Sequence, residues 1–485
     1  MSSHTVEKIG GTSMSRLDEI RDTLIVGSRN GDDLYGRIFV VSAFGGITDL
    51  LLEHKKTGDP GVFAKFAHAS GGPGWQDALL KVEEAMVAAH SELLTNSGDL
   101  DTANAFVRER VDGARNCLID LQRLCSYGHF RLSEHLLEIR ELLSGLGEAH
   151  SAMVMQLLLK RAGVNARLVD LTGWRDQKER TLKERLTSAM DGVDPATEMP
   201  IVTGYAQCTE GLMREFDRGY SEVTFSRLAA LIDAREAIIH KEFHLSSADP
   251  RLVGADKVRK LGRTNYDVAD QLSNMGMEAI HPNAAKTLRQ ANVALRVTNA
   301  FEPHDPGTLI DDQPAEVPAA EIVTGIDIVA LELFEQDMVG VKGYDAAILD
   351  VLTKHQVRIV SKVSNANTIT HYVDASLSVM RTVERDLEAR YPSAKISSRP
   401  LSMVSVIGRD MNGLSVLTRG LNAIAGSGQE AIGASQGPRN VDVQFIMDRD
   451  ALEPAVAALH AELIEGTKKG AASSKSKDKK VLQVA

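Results

Sequence analysis

The first forty residues alternate between apolar runs and polar turns, and this pattern predicts an α/β arrangement. Residues 6–9 predict a short strand, residues 10–13 (GGTS) a turn, and the apolar positions that follow recur at helical spacing. Ser15 and Asp18 resemble the capping box that opens a helix. Residues 37–42 (RIFVVS) are rich in β-branched and aromatic types, which predicts a buried strand. Strand, turn, helix and strand in this order favour a parallel α/β sheet.

The middle of the chain is mostly helical before the α/β alternation resumes. Residues from about 60 to 143 predict a helical insertion or lid beside the sheet. A helix is predicted to begin at Ala149 and to stop at Gly163, a residue type that commonly ends helices. Strands are then predicted at residues 166–169, 200–203 and 237–240, with a helix at residues 226–234.

From about residue 321 the same order of elements occurs twice. The first copy contains LELFEQDMVGVKG, a helix, VRIVSKV, NTITHYV and a helix; the second contains VSVIGRDMNG, a helix, EAIGAS, VDVQFIM and a helix. Asp337-Met338 and Asp410-Met411 occupy matching places in the two copies. This duplicated β-α-β-β-α plan predicts two small sandwich domains, over residues 321–392 and 396–465.

Composition and charge exclude several classes of protein. A chain of 485 residues is expected to form two to four domains, and 43% hydrophobic with 25% charged residues is typical of globular proteins. The net charge of -11 gives no electrostatic reason to bind nucleic acid. No continuous apolar span, secretory signal or metal-binding cysteine spacing is apparent among the residues. We expect a cytoplasmic protein with no membrane or nucleic-acid partner, and a disordered tail at 466–485.

Lys8 and the glycine pair after it form a candidate phosphate site. Gly10 and Gly11, between a strand end and a helix start, let the backbone approach a phosphate whose charge the helix N-terminus favours. Lys8 would add a positive charge beside that anion. The P-loop pattern G-x-x-x-x-G-K-[ST] is absent, so the chain is not a P-loop protein. On spacing alone, a tight structural turn is the alternative interpretation.

His240 and His244 flank Glu242 and raise the question of a zinc site. Metalloprotease helices carry His-Glu-x-x-His, but Lys241 occupies the position of that Glu. The segment also continues a strand, in which residues four apart rise too far to bind one metal. We therefore expect ordinary polar residues at a strand end and no metal ligands.

Seven motifs and the C-terminal repeat resemble the aspartate kinases, within the amino acid kinase family. The resemblance implies an amino acid kinase-like catalytic α/β domain over residues 1–315, with a parallel-rich central sheet flanked by helices and a helical insertion at about 60–145. The two α+β repeats resemble ACT domains (βαββα). The motifs, in chain order, are VEKIGGTS (6–13), SAFGGITD (42–49), GE (147–148), DRGYSE (217–222), ADPR (248–251), HP (281–282) and GTLI (307–310).

The resemblance is strongest to the specialised branch associated with ectoine synthesis, which shares KIGGTSMS, HKEFHLSSADP and QLSNMGMEAIHP. It implies transfer of the γ-phosphate of ATP to the β-carboxylate of L-aspartate, giving 4-phospho-L-aspartate on the way to aspartate semialdehyde and ectoine. It also implies a homodimer or higher homo-oligomer formed through the ACT domains. Members of the family that the motifs resemble respond to lysine or threonine.

The same resemblance implies roles for individual residues. Lys8 and Glu222 are the candidate catalytic residues, with Lys8 stabilising the transferring phosphoryl group. Arg218 would hold a substrate carboxylate in a bidentate pair. Glu148 and Glu222 would face the substrate amine or hold the Lys8 ammonium, while Ser221 and Thr48 would donate hydrogen bonds to carboxylate oxygens. Candidate nucleotide-binding residues are Lys8, Gly10, Gly11, Ser13, Lys241, Asp249 and Arg251.

Mg²⁺ is expected to bridge the β- and γ-phosphates through nucleotide oxygens more than through protein ligands. The aspartate carboxylate is ionised at neutral pH, so the reaction needs no general base.

The chain departs from the family pattern at several of these positions. Glu222 replaces an Asp, and Tyr220 replaces a Gly. Residues 240–244 (HKEFH) replace Thr-Asp-Val-Asp-Gly, and Glu278 replaces a Lys before the His-Pro pair. We hypothesise that Lys241 supplies a phosphate contact that the altered segment needs.

Other interpretations stay open at this point. The altered segment would suit a degenerate kinase that senses an amino acid through its ACT pair, and a kinase for glutamate, acetylglutamate or carbamate is a third candidate. Arg218 and Glu222, four apart, would also fit a surface ion pair, and Glu148 a first-turn helix residue.

Overall fold

The computed structural model describes residues 3–55, 57–68, 74–216, 219–277 and 279–466. Arg218, Glu278 and the predicted disordered tail from residue 467 lie outside the described residues. The strands are β1 (Thr5–Ile9), β2 (Arg37–Val41), β3 (Ala166–Val169), β4 (Met199–Thr203), β5 (Glu236–Lys241), β6 (Arg263–Asn265), β7 (Leu295–Asn299), β8 (Thr308–Asp311), β9 (Ile322–Phe334), β10 (Arg358–Ser364), β11 (Thr368–Asp374), β12 (Lys395–Ile407), β13 (Gly433–Gln436) and β14 (Asp442–Met447).

The helices are α1 (Gly11–Met14), α2 (Leu17–Ile20), α3 (Ile47–Leu51), α4 (Val62–Ala67), α5 (Gly74–Leu93), α6 (Ser97–Cys125), α7 (Leu136–Arg161), α8 (Leu182–Met190), α9 (Leu212–Phe216), α10 (Tyr220–Leu231), α11 (Pro250–Val253), α12 (Tyr266–Asn274), α13 (Pro282–Gln290), α14 (Tyr344–Lys354), α15 (Leu377–Arg390), α16 (Val416–Gly426) and α17 (Leu452–His460).

The chain divides into two compact units. The first consists of Met1–Leu245 and Ile280–Asp312, and the second of Ser246–Ala279 and Gln313–Ala485. Compactness thus groups residues 246–279 with the C-terminal repeats, although the sequence motifs assign them to the catalytic domain. The predicted domain limits at 315, 321–392 and 396–465 stay a prediction.

The first unit is built on a sheet whose strands lie in the order β3-β4-β2-β1-β5-β7-β8. The strands from β3 to β7 in this order pair in parallel, and β8 pairs antiparallel with β7. β1 and β2 are buried along their whole length, as strands covered on both faces must be. The predicted parallel-rich sheet is confirmed, and the carboxyl ends of its parallel strands meet at one edge.

Helix α7 is longer than the sequence pattern predicted. It runs unbroken from Leu136 to Arg161, so the predicted start at Ala149 is wrong, while Gly163 follows its end with φ +82 as expected. Gly147 lies inside this helix, and a Cβ there would lie 2.8 Å from the Cβ of Ala43, so glycine allows the helix to approach Ala43 closely. By length and composition α7 could cross a membrane, but 83% of its most apolar window is buried inside the protein.

The predicted capping box at Ser15 and Asp18 is wrong. α2 begins after Arg16, which makes no side-chain cap. The Ser15 hydroxyl instead accepts the N–H of Gly45 at 3.0 Å, 30 residues away in sequence. The side chain that the pattern assigned to a helix end therefore holds the two glycine-rich segments together.

The second unit contains a six-stranded sheet in the order β10-β11-β9-β12-β14-β13. Both predicted β-α-β-β-α repeats are present, as β9-α14-β10-β11-α15 and β12-α16-β13-β14-α17. β9 and β12 pair antiparallel along thirteen residues each, from Ile322↔Ile407 to Phe334↔Lys395. Each repeat has its own buried cluster, and Ala248 and Val253 join that of the second repeat. The predicted fold class is confirmed.

Candidate active site

A buried ion pair lies where β1 ends at the glycine pair. Lys8 Nζ is 3.5 Å from Glu222 Oε1, and the Lys8 residue is only 8% exposed. The other carboxylate oxygen of Glu222 accepts the backbone N–H of His281. Burial opposes ionisation of Glu222, but the charges of Lys8 and Lys241 and the His281 N–H together lower its pKa below the ordinary value. Glu222 is therefore an anion that holds positive charge at the end of β1.

Two glycines keep this ion pair accessible and in place. A Cβ on Gly10 would lie 3.9 Å from Lys8 Nζ, so glycine leaves space beside the ammonium. A Cβ on Gly219 would lie 2.2 Å from Cδ2 of His281, so only glycine lets the start of α10 approach His281. The approach brings Glu222, in the first turn of α10, to the His281 N–H.

Glu148 is a second buried carboxyl group in the same region. It is 2% exposed, in the middle of α7, so the first-turn interpretation of this residue is wrong. Burial raises its pKa to about 8, although the Lys8 charge and hydrogen bonds from the Tyr205 backbone and the Tyr220 side chain lower it. Within the described part of the chain, Glu148 Oε2 is buried and has no hydrogen-bond partner. An unpaired buried oxygen of this kind is suited to a cationic ligand.

Two hydroxyl groups lie between these carboxylates and the second glycine-rich loop. The Oγ atoms of Ser42 and Ser221 are 3.2 Å apart. A Cβ on Gly204 would lie 2.6 Å from the Cβ of Ser221 and 3.0 Å from Glu148 Oε2. Gly204 therefore provides the space in which Ser221 and Glu148 come together. Hydroxyl donors beside a carboxyl group and an ammonium form a polar site for a small zwitterion.

The Ser13 hydroxyl makes a hydrogen bond that the sequence did not predict. Its buried hydroxyl donates to Glu242 Oε1 at 2.6 Å. α1 can carry Ser13 to this position because Gly11 packs tightly, with a Cβ there only 2.8 Å from the carbonyl oxygen of Ala43. Glu242 belongs to the altered segment 240–244, so the departure from the family pattern adds a carboxylate beside the glycine pair.

The structure brings together some of the predicted site residues and not others. Lys8, Glu148, Ser221 and Glu222 form one cluster, and the Lys241 charge acts on Glu222. Thr48 is half-buried in the first turn of α3.

The remaining nucleotide candidates belong to the second unit. Asp249 caps α11 by accepting the N–H of Arg251, and its carboxylate forms a 2.6 Å ion pair with the Arg251 guanidinium. The Arg251 side chain is 88% exposed. Both residues are therefore accounted for by local capping, and their nucleotide role stays a prediction.

Sequence reasoning missed Ser42 and Glu242 and gave no role to Tyr220. Ser42 is the first residue of the glycine-rich motif at 42–49, and Tyr220 was noted only as a departure. The weak signal for both was their place inside family motifs. Glu242 had none, because its link to Ser13 spans 229 residues.

His240 and His244 have different hydrogen-bond partners in the structure. The buried His240 ring lies with Nε2 2.8 Å from Glu7 Oε2 and Nδ1 2.7 Å from Thr298 Oγ1. Glu7 also forms a bidentate pair with Arg37 at 2.7 and 2.8 Å. Burial would raise the Glu7 pKa, but Arg37 and His240 hold it well below its ordinary value. His240 thus belongs to a buried network beneath the sheet edge.

Comparison with known proteins identifies the family to which this sequence is similar. The model of the amino acid kinase family matches residues 4–299. The chain belongs to the amino acid kinase family.

Its relatives narrow the assignment within that family. Aspartate kinase Ask_Ect of Stutzerimonas stutzeri is 51% identical over 464 residues, 95% of this chain and 98% of the relative. Chloroplastic aspartokinase 3 of Arabidopsis thaliana is 23% identical over 392 residues, 76% of this chain and 68% of the relative. The chain groups with the aspartate kinases, and the resemblance predicted from its motifs is confirmed.

Solved structures share the fold. Escherichia coli aspartokinase III in complex with lysine and aspartate has a TM-score of 0.71 at 18% identity, covering 96% of this chain and 100% of that chain. Clostridium acetobutylicum aspartate kinase has a TM-score of 0.70 at 16% identity, covering 95% of this chain and 100% of that chain. At these identities the likeness supports the fold alone.

Proposed function

We propose that the chain is an aspartate kinase that transfers the γ-phosphate of ATP to the β-carboxylate of L-aspartate. A carboxylate oxygen attacks the γ-phosphorus, the bond to the bridging oxygen breaks, and ADP leaves with the electron pair. The observation that carries the proposal is the Lys8 ammonium, which sits beside the glycine pair and interacts with both Glu222 and Glu148. Pathway context, a step toward ectoine in the cytoplasm, rests on the resemblance to the specialised branch.

On the donor side, positive charge offsets the charge that builds up during transfer. The charges of Lys8 and Lys241 both stabilise the Glu222 anion, and the Lys8 ammonium is 3.5 Å from it. Phosphoryl transfer depends mainly on positioning and charge neutralisation, which these groups would supply. Gly10 leaves the space beside Lys8 that a phosphate needs. Mg²⁺ would enter bound to ATP, with the nucleotide oxygens as its main ligands.

On the acceptor side, Glu148 Oε2, which has no hydrogen-bond partner among the residues that the structure describes, would bind the ammonium of aspartate. The hydroxyls of Ser221 and Ser42 would donate to a carboxylate of the same molecule. Arg218, implied by the family motif two residues before Tyr220, would hold the second carboxylate. Thr48 would assist from α3. This set matches one amine and two carboxylates, which is the charge pattern of aspartate.

Replacement of Lys8 by Met tests the proposal. We expect aspartate-dependent ADP release from the wild-type enzyme and a loss of about 10²–10³-fold in kcat in Lys8→Met, as for removal of one electrostatic donor. Lys183→Met, on the exposed face of α8, is the matched control and should retain full activity. Turnover with glutamate, acetylglutamate or carbamate but not with aspartate would contradict the proposal.

Lys241→Met tests the donor side separately. We expect a higher KM for ATP with little change in the KM for aspartate, because the nucleotide phosphates are the part of the two substrates that Lys241 would contact. An unchanged KM for ATP would remove Lys241 from the site.

A sensor without kinase activity is the second candidate. The carboxylate of Glu242 on Ser13, beside the glycine pair, is the observation that favours it, since an extra anion opposes phosphate binding. Calorimetry with aspartate, lysine and threonine, run alongside the ADP assay, separates the two. Amino-acid binding without any ADP release would support the sensor.

The assembly is a further part of the proposal. We expect a homodimer or larger homo-oligomer formed through the ACT-like repeats, whose sheet has β10 and β13 at its edges. Val363 in β10 and Ile432 directly before β13 are exposed apolar residues. Edge strands with such side chains favour pairing with another chain. Light scattering after gel filtration measures the oligomeric state. A monomer would show that the expectation is wrong.

A further inference from the structure

His244 faces two carboxylates at the end of the altered segment 240–244, in the first unit. It follows β5, while Glu302 and Asp305 lie in the turns that follow β7, the parallel neighbour of β5. His244 Nε2 is 3.0 Å from Glu302 Oε2, and His244 Nδ1 is 3.7 Å from Asp305 Oδ1. The parallel pairing of β5 and β7 therefore brings an imidazole and two carboxylates to one place at the sheet edge.

The imidazole has a nitrogen whose hydrogen-bonding capacity is not met. The His244 side chain is 7% exposed, and its Nδ1 is buried with no hydrogen-bond partner among the described residues. At 3.7 Å, Asp305 Oδ1 is too far from Nδ1 for a hydrogen bond. A buried polar atom without a partner destabilises the folded protein, and a ligand at Nδ1 would remove that cost.

The spacing of the donor atoms fits a metal ion. One ligand atom from each of His244, Glu302 and Asp305 lies within 4.8 Å of the other two. Two atoms 3.7 Å apart can each be about 2.1 Å from one cation placed between them, the usual length of Zn–N and Zn–O bonds. In the described arrangement Glu302 fixes the ring at Nε2, as carboxylates do for metal-bound histidines. The other carboxylate oxygen of Glu302 accepts the side-chain N–H of Asn299 at 3.3 Å, so this carboxylate is positioned beside the ring.

We propose that His244, Glu302 and Asp305 bind a divalent transition-metal cation, with Mn²⁺ and Zn²⁺ as the species to test. An imidazole nitrogen favours these ions over Mg²⁺ and Ca²⁺, which prefer oxygen ligands only. Water would fill the remaining coordination positions. The proposed ion would be additional to the Mg²⁺ that accompanies ATP, and the proposal replaces the expectation that this segment holds no metal ligands.

Bound metal would also cross-link the ends of β5 and β7. Because only the folded unit presents the three donors together, binding would raise the melting temperature of that unit. Both tryptophans of the chain, Trp75 and Trp174, belong to the first unit, so tryptophan fluorescence reports its unfolding.

The test is calorimetric titration of the full-length, tag-free, metal-stripped protein with Mn²⁺ and with Zn²⁺. ATP and aspartate are left out, so the result does not depend on kinase activity. The variants are Glu302→Gln and Asp305→Asn, which keep side-chain shape and remove charge, together with His244→Gln. His304→Gln is the matched control, because His304 is an exposed histidine in the same loop.

We expect the wild-type protein and His304→Gln to bind one equivalent of metal, with a higher melting temperature when it is bound. Each of the three variants should bind about tenfold more weakly or worse. Millimolar Mg²⁺ should not displace the bound ion.

Three results would overturn the proposal: no binding by the wild-type protein, equal binding by Glu302→Gln and Asp305→Asn, or full displacement by Mg²⁺. Glu302 is half exposed, so its variant tests the site even if His244→Gln fails to fold.

Discussion

At the scale of single residues, burial sets the protonation states that the candidate site uses. Glu222 and Glu148 are both buried, yet their pKa values move in opposite directions. The charges of two lysines act on Glu222, whereas Lys8 is the one lysine whose charge lowers the pKa of Glu148, beside hydrogen bonds from Tyr205 and Tyr220. Glu148 also keeps one oxygen without a hydrogen-bond partner among the described residues. The two carboxyl groups near the Lys8 ammonium therefore differ in function. The charge of Glu222 is balanced by lysines within the protein, whereas Glu148 is suited to bind a cationic group of a ligand.

The raised pKa of Glu148 predicts how aspartate binding depends on pH. Below its pKa of about 8 the group is neutral, and it must lose a proton before it can pair with an ammonium. The KM for aspartate should therefore fall as pH rises from 7 toward 8.5. Glu148→Gln should have a high KM with no such pH dependence. Steady-state kinetics at constant saturating ATP measures both, and an identical pH dependence of KM in the variant would refute the assignment.

The buried pair His90 and His150 predicts the acid sensitivity of the first unit. His90 Nδ1 is 3.0 Å from His150 Nε2, and burial lowers the pKa of His150 to about 3 and that of His90 below its ordinary value. Between pH 6.5 and about 3 the unfolded chain binds a proton at His150 that the folded one does not. Stability is thus fully present above pH 6.5 and declines on acidification, by about 1.4 kcal/mol per pH unit for that proton.

His150→Gln should make the melting temperature, followed by tryptophan fluorescence, less dependent on pH between 6.5 and 4.5. His129→Gln, at an exposed loop position, is the matched control. Parallel pH profiles for wild-type protein and His150→Gln would show that the pair does not contribute.

At the scale of elements, local pattern predicted the strands well and the helix limits poorly. β1, β2, β3 and β5 were predictable because each is a short apolar run between turns. The start of α7 was not, because glycines that usually interrupt helices are tolerated where another segment packs against them.

The same limit applies to the site. Lys8 was recognisable beside its glycines, but its partner Glu222 lies 214 residues away and only the family motif indicated it. Glu242 and the His281 N–H escaped prediction because their roles exist only once distant segments meet.

Two glycine-to-alanine substitutions, one at a closely packed position in α7 and one at an open position in α16, should have opposite effects on stability. A Cβ on Gly147 would lie 2.8 Å from the Cβ of Ala43 and 3.0 Å from Ile47 Cγ2, both fixed close to the backbone. Gly147→Ala should lose about 1–3 kcal/mol of stability and raise the KM for aspartate, because Glu148 moves with it. Gly426→Ala, at a helical glycine whose added Cβ would meet no described residue within 4 Å, should keep or slightly raise stability.

Melting temperatures and aspartate kinetics of the two variants make the comparison. A Gly147→Ala protein as stable and active as wild type would mean that α7 does not need this contact.

At the scale of the whole molecule, residues 246–279 depend on the C-terminal repeats. Ser247 Oγ is 2.9 Å from His460 Nε2, and the carbonyl of Ser247 accepts the N–H of Val323. Ala248 and Val253 are buried in the core of the second repeat. The candidate nucleotide loop 248–251 is therefore stabilised by the part of the chain that resembles ACT domains.

A chain that ends at residue 312 should lose the structure of this loop. Hydrogen exchange by mass spectrometry should show protected amides over 246–279 in the full-length protein and rapid exchange in the fragment. Residues 1–245 should stay protected in both, because their buried contacts are made within the first unit. Continued protection of 246–279 in the fragment would show that the segment folds without the repeats.

The antiparallel pairing of β9 with β12 makes the two repeats one continuous object rather than exchangeable modules. Deleting or grafting either repeat would remove the hydrogen-bond partners of a strand of thirteen residues. The exposed strand edge would then favour self-association. Attempts to transplant a regulatory half between related enzymes should therefore move both repeats together, or they will produce aggregates.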